Sequence, residues 1–124
     1  MTTHTGHTEA IRASRVIGTS VYNSAGESIG SIEDVMLDKT SNNIMFAVIG
    51  FGGFLGIGEM YHAVPWSSLD YDERQGGYVV PFTKDQLKAA PAHSIKELTG
   101  ADGMAARDAS YDYYKVDRYW SDPA

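Results

Sequence analysis

Gly26-Glu27-Ser28-Ile29-Gly30-Ser31-Ile32-Glu33-Asp34-Val35-Met36-Leu37-Asp38 is the stretch on which the fold turns. Ile29, Ile32 and Val35 or Met36 fall at helical spacing, so its apolar positions alone allow a helix. Two features argue for a strand. Gly30 sits inside the segment, where it would weaken a helix, and Ile29, Ile32 and Val35 are β-branched. The parity of the apolar positions changes between Ile32 and Val35, as an extra residue near Glu33-Asp34 would cause. The segment therefore reads as a strand bent by a β-bulge.

Working outward, Val16 to Tyr22 reads as a preceding strand, closed by the turn residues Asn23-Ser24-Ala25-Gly26. On the other side, Thr40-Ser41-Asn42-Asn43 is a turn cluster, and Ile44 to Phe51 is an apolar run of strand length. That run has almost no polar alternation. It predicts burial on both faces, or one face covered by a partner. Gly52 to Gly58 is a glycine-rich loop carrying Phe54, Leu55 and Ile57, and Met60 to Val64 resumes as a strand stopped by Pro65. Trp66 to Tyr71 reads as a corner with a short strand, Asp72 to Gly77 as a polar turn, and Tyr78 to Phe82 as the last strand.

There the period changes. Thr83-Lys84-Asp85-Gln86 has the form of a capping box, opening a helical turn or two through Ala90 that Pro91 stops. Six short strands at close spacing, then a short helix, predict a mainly β fold: a small barrel or rolled sheet.

The chain has 124 residues, room for one domain with tails, and its hydrophobic (43%) and charged (21%) fractions suit a folded domain. It has no cysteine, so disulfides, a thiolate nucleophile and a thiolate zinc site are all excluded. A domain this small buries a low fraction of its surface, which makes oligomerisation the natural way to bury more. The net charge of −6 disfavours nucleic acid, and the basic residues are scattered among acidic ones. Residues 1–14 are rich in Thr, His and Gly and read as a flexible tail rather than a signal peptide. Ile44 to Ile57 is too short for a membrane span and is broken by glycines. The expectation is a cytoplasmic protein with no membrane span.

Val16-Ile17-Gly18-Thr19-Ser20-Val21-Tyr22, followed by Gly26 to Val35, resembles the opening of PRC-barrel domains. Gly50-Phe51-Gly52-Gly53-Phe54-Leu55-Gly56-Ile57-Gly58-Glu59, then Ala63-Val64-Pro65-Trp66-Ser67-Ser68-Leu69, is similar to the central segment of bacterial members. Thr83 to Pro91 resembles their closing helix. The resemblance covers roughly residues 15–91 and implies a PRC-type β-barrel of about six strands. It is the fold of the cytoplasmic part of the photosynthetic reaction-centre H subunit and of the C-terminal domain of the ribosome maturation factor RimM. The polar tail here, and the lack of room for a preceding barrel, resemble neither relative and point to a stand-alone bacterial member. The shared theme of the family is protein–protein contact and assembly, with no common catalytic residues to transfer.

Single motifs favour bland readings. Gly26-Glu27-Ser28-Ile29-Gly30 matches the Gly-x-Ser-x-Gly nucleophile elbow, but that motif needs a strand before the serine, a helix after it and a large α/β sheet. The glycine loop lacks the Gly-Lys-Ser/Thr of a phosphate-binding loop, and Glu59 would repel phosphate. Phe54, Leu55 and Ile57 are instead candidates for packing against a second subunit. His4 and His7 could chelate a metal but lie in the tail without acidic or thiolate companions; His62 and His93 are isolated. The clusters Glu33, Asp34, Asp38 and Asp70, Asp72, Glu73 lack calcium-loop spacing and read as turn residues.

The last segment, residues 92–124, is the least usual. Ser94-Ile95-Lys96-Glu97 is a second capping box, and Tyr111, Tyr113, Tyr114, Tyr119 and Trp120 crowd the end of the chain. Flexible tails are poor in aromatics, so this extension is expected to dock on its own barrel or on a neighbouring subunit. The expected function is a non-enzymatic interaction or assembly module without cofactor or metal, with itself, as a homodimer or larger homo-oligomer, or another protein as partner. Its expected contact residues are Phe54, Leu55, Ile57, Trp66, Tyr113, Tyr114, Tyr119 and Trp120. The alternative is a small-ligand or ion-binding barrel with a pocket near Trp66, Tyr71 and the tail aromatics.

Overall fold

The computed structural model describes residues 10–50 and 61–120. The expected glycine loop with Phe54, Leu55 and Ile57, together with His4 and His7, lies outside the described residues. The elements run α1 (Ala13–Val16), β1 (Ser20–Tyr22), β2 (Ser28–Leu37), β3 (Ile44–Gly50), β4 (Tyr61–Pro65), β5 (Asp70–Asp72), β6 (Gly77–Val79), α2 (Lys84–Ala89), α3 (Ile95–Thr99) and α4 (Met104–Tyr114). Single 3-10 turns at Trp66–Ser68 and Gly100–Gly103 join β4 to β5 and α3 to α4.

The decisive stretch is a strand. β2 pairs with β1 on one side and β3 on the other, both antiparallel, and its register with β3 slips between Ile32 and Asp34. Glu33 is the extra residue, so the parity change in the sequence is a β-bulge. Asn23 shapes the turn before it, its Oδ1 accepting from the Ala25 and Glu27 backbone N–H groups at 3.0 and 2.9 Å. The first strand is shorter than its apolar run predicted. Gly18 has φ +89°, which ends the helical turn α1 and breaks the extended path before Ser20. At the far end, Val80 donates to Tyr22 O at 2.9 Å, and Pro81, with no N–H, stops β6 short of Phe82.

The six strands make one sheet in the order β4-β3-β2-β1-β6-β5, with β1 and β6 parallel. β1 and β6 approach closely: a Cβ at Gly77 would collide with the Ser20 carbonyl. Of the expected small barrel or rolled sheet, the mainly β six-stranded sheet is present, but among the described residues it is not closed and keeps two edges, β4 and β5. It is nevertheless strongly curled. A flat sheet of this order would hold its edges about 24 Å apart at ~4.8 Å per strand. The chain from Pro65 to Asp70 reaches at most about 17 Å. Closure fails because β4 has another neighbour: Tyr61 and His93 exchange both backbone hydrogen bonds, at 2.7 and 2.9 Å. β5, at three residues, is too short to replace it.

β3 explains its own sequence. Ala47 and Ile49 join Val21, Ile29, Ile32, Val64, Val80 and Leu87 in the larger core, whereas Phe46 and Val48 join Met45 and Leu98 in a second cluster. Ala106 and Tyr119 complete that second cluster, so the other face of β3 is covered by the chain's own C-terminal segment. Both capping boxes form: Thr83 with Gln86 opens α2, and Ser94 with Glu97 opens α3. Gly103 turns the chain into α4 with φ +71°, where an added Cβ would lie 2.9 Å from Met36 Cε. Among the described residues no helix is long and apolar enough to cross a membrane.

Candidate interaction surfaces

The C-terminal segment is held by its tyrosines. Tyr111 is buried and donates its hydroxyl to Met45 O at 2.8 Å; burial pushes its phenol up to about 12. Tyr114 stacks on Phe82 with ring centroids 4.2 Å apart. Its hydroxyl is buried without a hydrogen-bond partner among the described residues, and burial raises its pKa. Tyr113, at the rim, donates to Gln86 O at 2.7 Å. Tyr119 donates to Asp38 Oδ2 at 2.8 Å, and this bond, together with the Thr40 N–H, holds Asp38 below the usual carboxylate range. Trp120 lies edge-on to Tyr111 at 4.9 Å, with the Arg107 guanidinium 3.7 Å from its ring centroid and that of Arg118 at 5.3 Å.

A second aromatic group sits at the opposite end of the strand order. Trp66 and Tyr71 both contact the Tyr78 ring, at 5.4 and 5.2 Å. Tyr71 and Tyr78 are direct partners across β5 and β6, so they share the core face. Tyr78 is buried and Tyr71 is 46% exposed, so the core runs out to the surface at Tyr71. Among the described residues the ring contacts put Trp66, Tyr71 and Tyr78 in one group and Tyr111, Tyr119 and Trp120 in another, while the larger core that Trp66 packs against also holds Tyr114. Asp70, Tyr71, Asp72, Glu73, Arg74 and Val79 line an open groove along β5. The Asp72 carboxylate accepts from the Gln75 side chain and the Arg74 N–H, bonds that lower its pKa.

A small apolar cleft lies between β4 and α4, bounded by Ala63, Pro91, Leu98, Ala109, Tyr113 and Tyr114 among others. His62 is 1% exposed on β4; burial outweighs the hydrogen-bonding Pro91 backbone and lowers its pKa to about 4. It is a neutral core group at physiological pH. Among the described residues no group of three His, Asp or Glu could hold a metal. Asp38 organises its turn through the Thr40 and Ser41 N–H groups, and Asp34 accepts from the Val35 N–H. Ser28 opens strand β2, with no helix after it, so the nucleophile-elbow geometry is absent.

Sequence reasoning did not single out Leu37 and Met104, which are 61% and 39% exposed. Leu37 follows Met36 and Met104 follows Gly103, and a Cβ added at Gly103 would lie 2.9 Å from Met36 Cε. The signal for Leu37 was faint. A second register slip, between Met36 and Leu37, gives it its outward position. Arg107 was equally silent, because a cation over a ring leaves no trace in spacing.

A family model described as PRC-barrel domain matches residues 8–87, well over half of the chain. No curated protein matches it. The matched segment ends within α2, so α3, α4 and the aromatic end lie beyond it.

Proposed function

This chain belongs to the PRC-barrel family, and from that premise we propose that it is a non-catalytic docking module that self-associates. Domains of this family are generally protein-interaction modules. The observation that carries the proposal is the exposure of Leu37 and Met104, large apolar side chains left 61% and 39% open to water. The tail rings are a weaker candidate for the shared surface. Tyr114 is buried, and Tyr119 and Trp120 are half-buried in their own chain. Tyr113 is the most open of them at 36%. Phe54, Leu55 and Ile57 lie outside the described residues, so their part in the proposal rests on the sequence alone, and Trp66 packs against the Tyr78 ring.

Light scattering tests the reading. Leu37→Lys with Met104→Lys should return the particle toward the 13.5 kDa of one chain, without loss of the folded spectrum. An oligomer that keeps its mass in this variant would remove the surface from the proposal.

A second reading, small-ligand binding, is favoured by one observation: the apolar cleft between β4 and α4 is lined by Tyr114, whose buried hydroxyl has no partner among the described residues. A panel of single-ring phenols and amides followed by Tyr114 ring shifts in NMR would decide it. Saturable shifts support the reading, and their absence across the panel opposes it.

A further inference from the structure

The two edges of the sheet are not equivalent. β4 is occupied, through the backbone exchange of Tyr61 with His93 and through contact with α4. Among the described residues β5 pairs only with β6, and Asp70, Tyr71 and Asp72 line the open groove. Tyr71 stands in the middle of this edge, 46% exposed yet steadied edge-on by the Tyr78 ring at 5.2 Å. An aromatic held in place while exposed loses little freedom on binding.

The charges decide what can occupy the edge. Asp70 and Asp72 flank Tyr71, and Glu73 follows. In an antiparallel self-pairing centred on Tyr71, Asp70 of each copy would face Asp72 of the other, and like charges directly opposite are destabilising. A second copy is therefore the wrong occupant for this edge. Arg74, beyond the strand, is the one basic group on the groove wall among the described residues.

We propose that β5 is a docking edge for an extended segment of a partner protein in which two basic residues flank an apolar one. Such a segment adds an antiparallel strand beside β5. Its middle side chain covers Tyr71, and its flanking cations meet Asp70 and Asp72. Backbone pairing supplies the affinity, and the alternate side chains supply the selection. The inference rests on the reading of the chain as an interaction module, but it uses a surface separate from Leu37 and Met104.

The test uses the full chain and a labelled peptide, Thr-Lys-Tyr-Lys-Thr, followed by fluorescence anisotropy at about 0.15 M salt. Saturable binding is expected. A peptide N-methylated on the edge-facing amides should bind at least about tenfold more weakly. The Glu-Tyr-Glu analogue should not bind, and Asp70→Lys should reverse the preference between the two peptides. Absence of saturable binding, or equal binding of the N-methylated peptide, would overturn the proposal, the latter by reducing it to charge attraction. Light scattering on the same samples separates this from the self-association reading. An oligomer that ignores the peptide retires only the β5 edge, whereas a monomer that binds it retires only self-association.

Discussion

The Tyr119 hydroxyl donates to the Asp38 carboxylate at 2.8 Å, tying the end of the chain to the turn between β2 and β3. This bond lies between the family-matched sheet and a segment beyond the match, and it is charged on one side. Tyr119→Phe should raise the Asp38 pKa toward its ordinary value, as read by carboxyl NMR titration. Because the folded pKa is depressed, the stabilisation is complete above the ordinary carboxylate value and fades as pH falls through the folded one. The native protein and the Tyr119→Phe variant should therefore converge in stability in strong acid.

Tyr111 and Tyr114 bury the same phenol in opposite circumstances. Tyr111→Phe removes the bond to Met45 O and should cost about 1 kcal/mol by denaturant unfolding. Tyr114→Phe removes a hydroxyl without a partner among the described residues and should be neutral or stabilising, by up to about 1–2 kcal/mol. Equal destabilisation by both would mean that the Tyr114 hydroxyl is satisfied in solution.

Burial keeps His62 neutral, with a folded pKa of about 4 against an ordinary value of 6.5. The unfolded chain binds the proton first as pH falls, so stability from this site is full above about 6.5 and is lost between there and 4. Urea midpoints measured across that window should fall toward acid, and His62→Gln should flatten the fall.

Gly103 is fixed by both its φ of +71° and the nearness of Met36 Cε. Gly103→Ala should cost about 1–2 kcal/mol from the left-handed backbone alone. Gly100, with open space around it and no positive φ, should accept Ala without such a penalty.

Deleting residues 110–124 removes Tyr111, Tyr114 and Tyr119 and uncovers Phe82 and the cluster of Met45, Phe46 and Val48. The loss should exceed about 3 kcal/mol, lowering Tm by roughly 10 °C or more. A truncated chain that melts with the intact one would show that the extension is not docked.

Local rules carried much of the fold. The slip at Glu33 was legible because side chains alternate along a strand, and an extra residue shifts every later position. The boxes at Thr83 and Ser94 were legible because each is a local exchange of hydrogen bonds. The run Ile44 to Phe51 announced burial on both faces, or one face covered by a partner, but not what covered it. Whether a chain's own helix or a neighbour does so depends on contacts distant in sequence, such as Leu98 on Phe46. The choice between barrel and rolled sheet was left open for the same reason, since the edge of β4 is met by His93 reaching Tyr61 from beyond Pro91. The candidate surfaces were read less well. Counting aromatics found Tyr113, Tyr114, Tyr119 and Trp120, but their number could not separate rings consumed by the core from rings left for a partner.

Self-association is the central claim, and sedimentation equilibrium of the intact chain over a wide concentration range tests it most directly. The expected mass at the upper end is at least twice the 13.5 kDa of one chain, dropping when Leu37 and Met104 become lysines. A mass of 13.5 kDa at every concentration would contradict it.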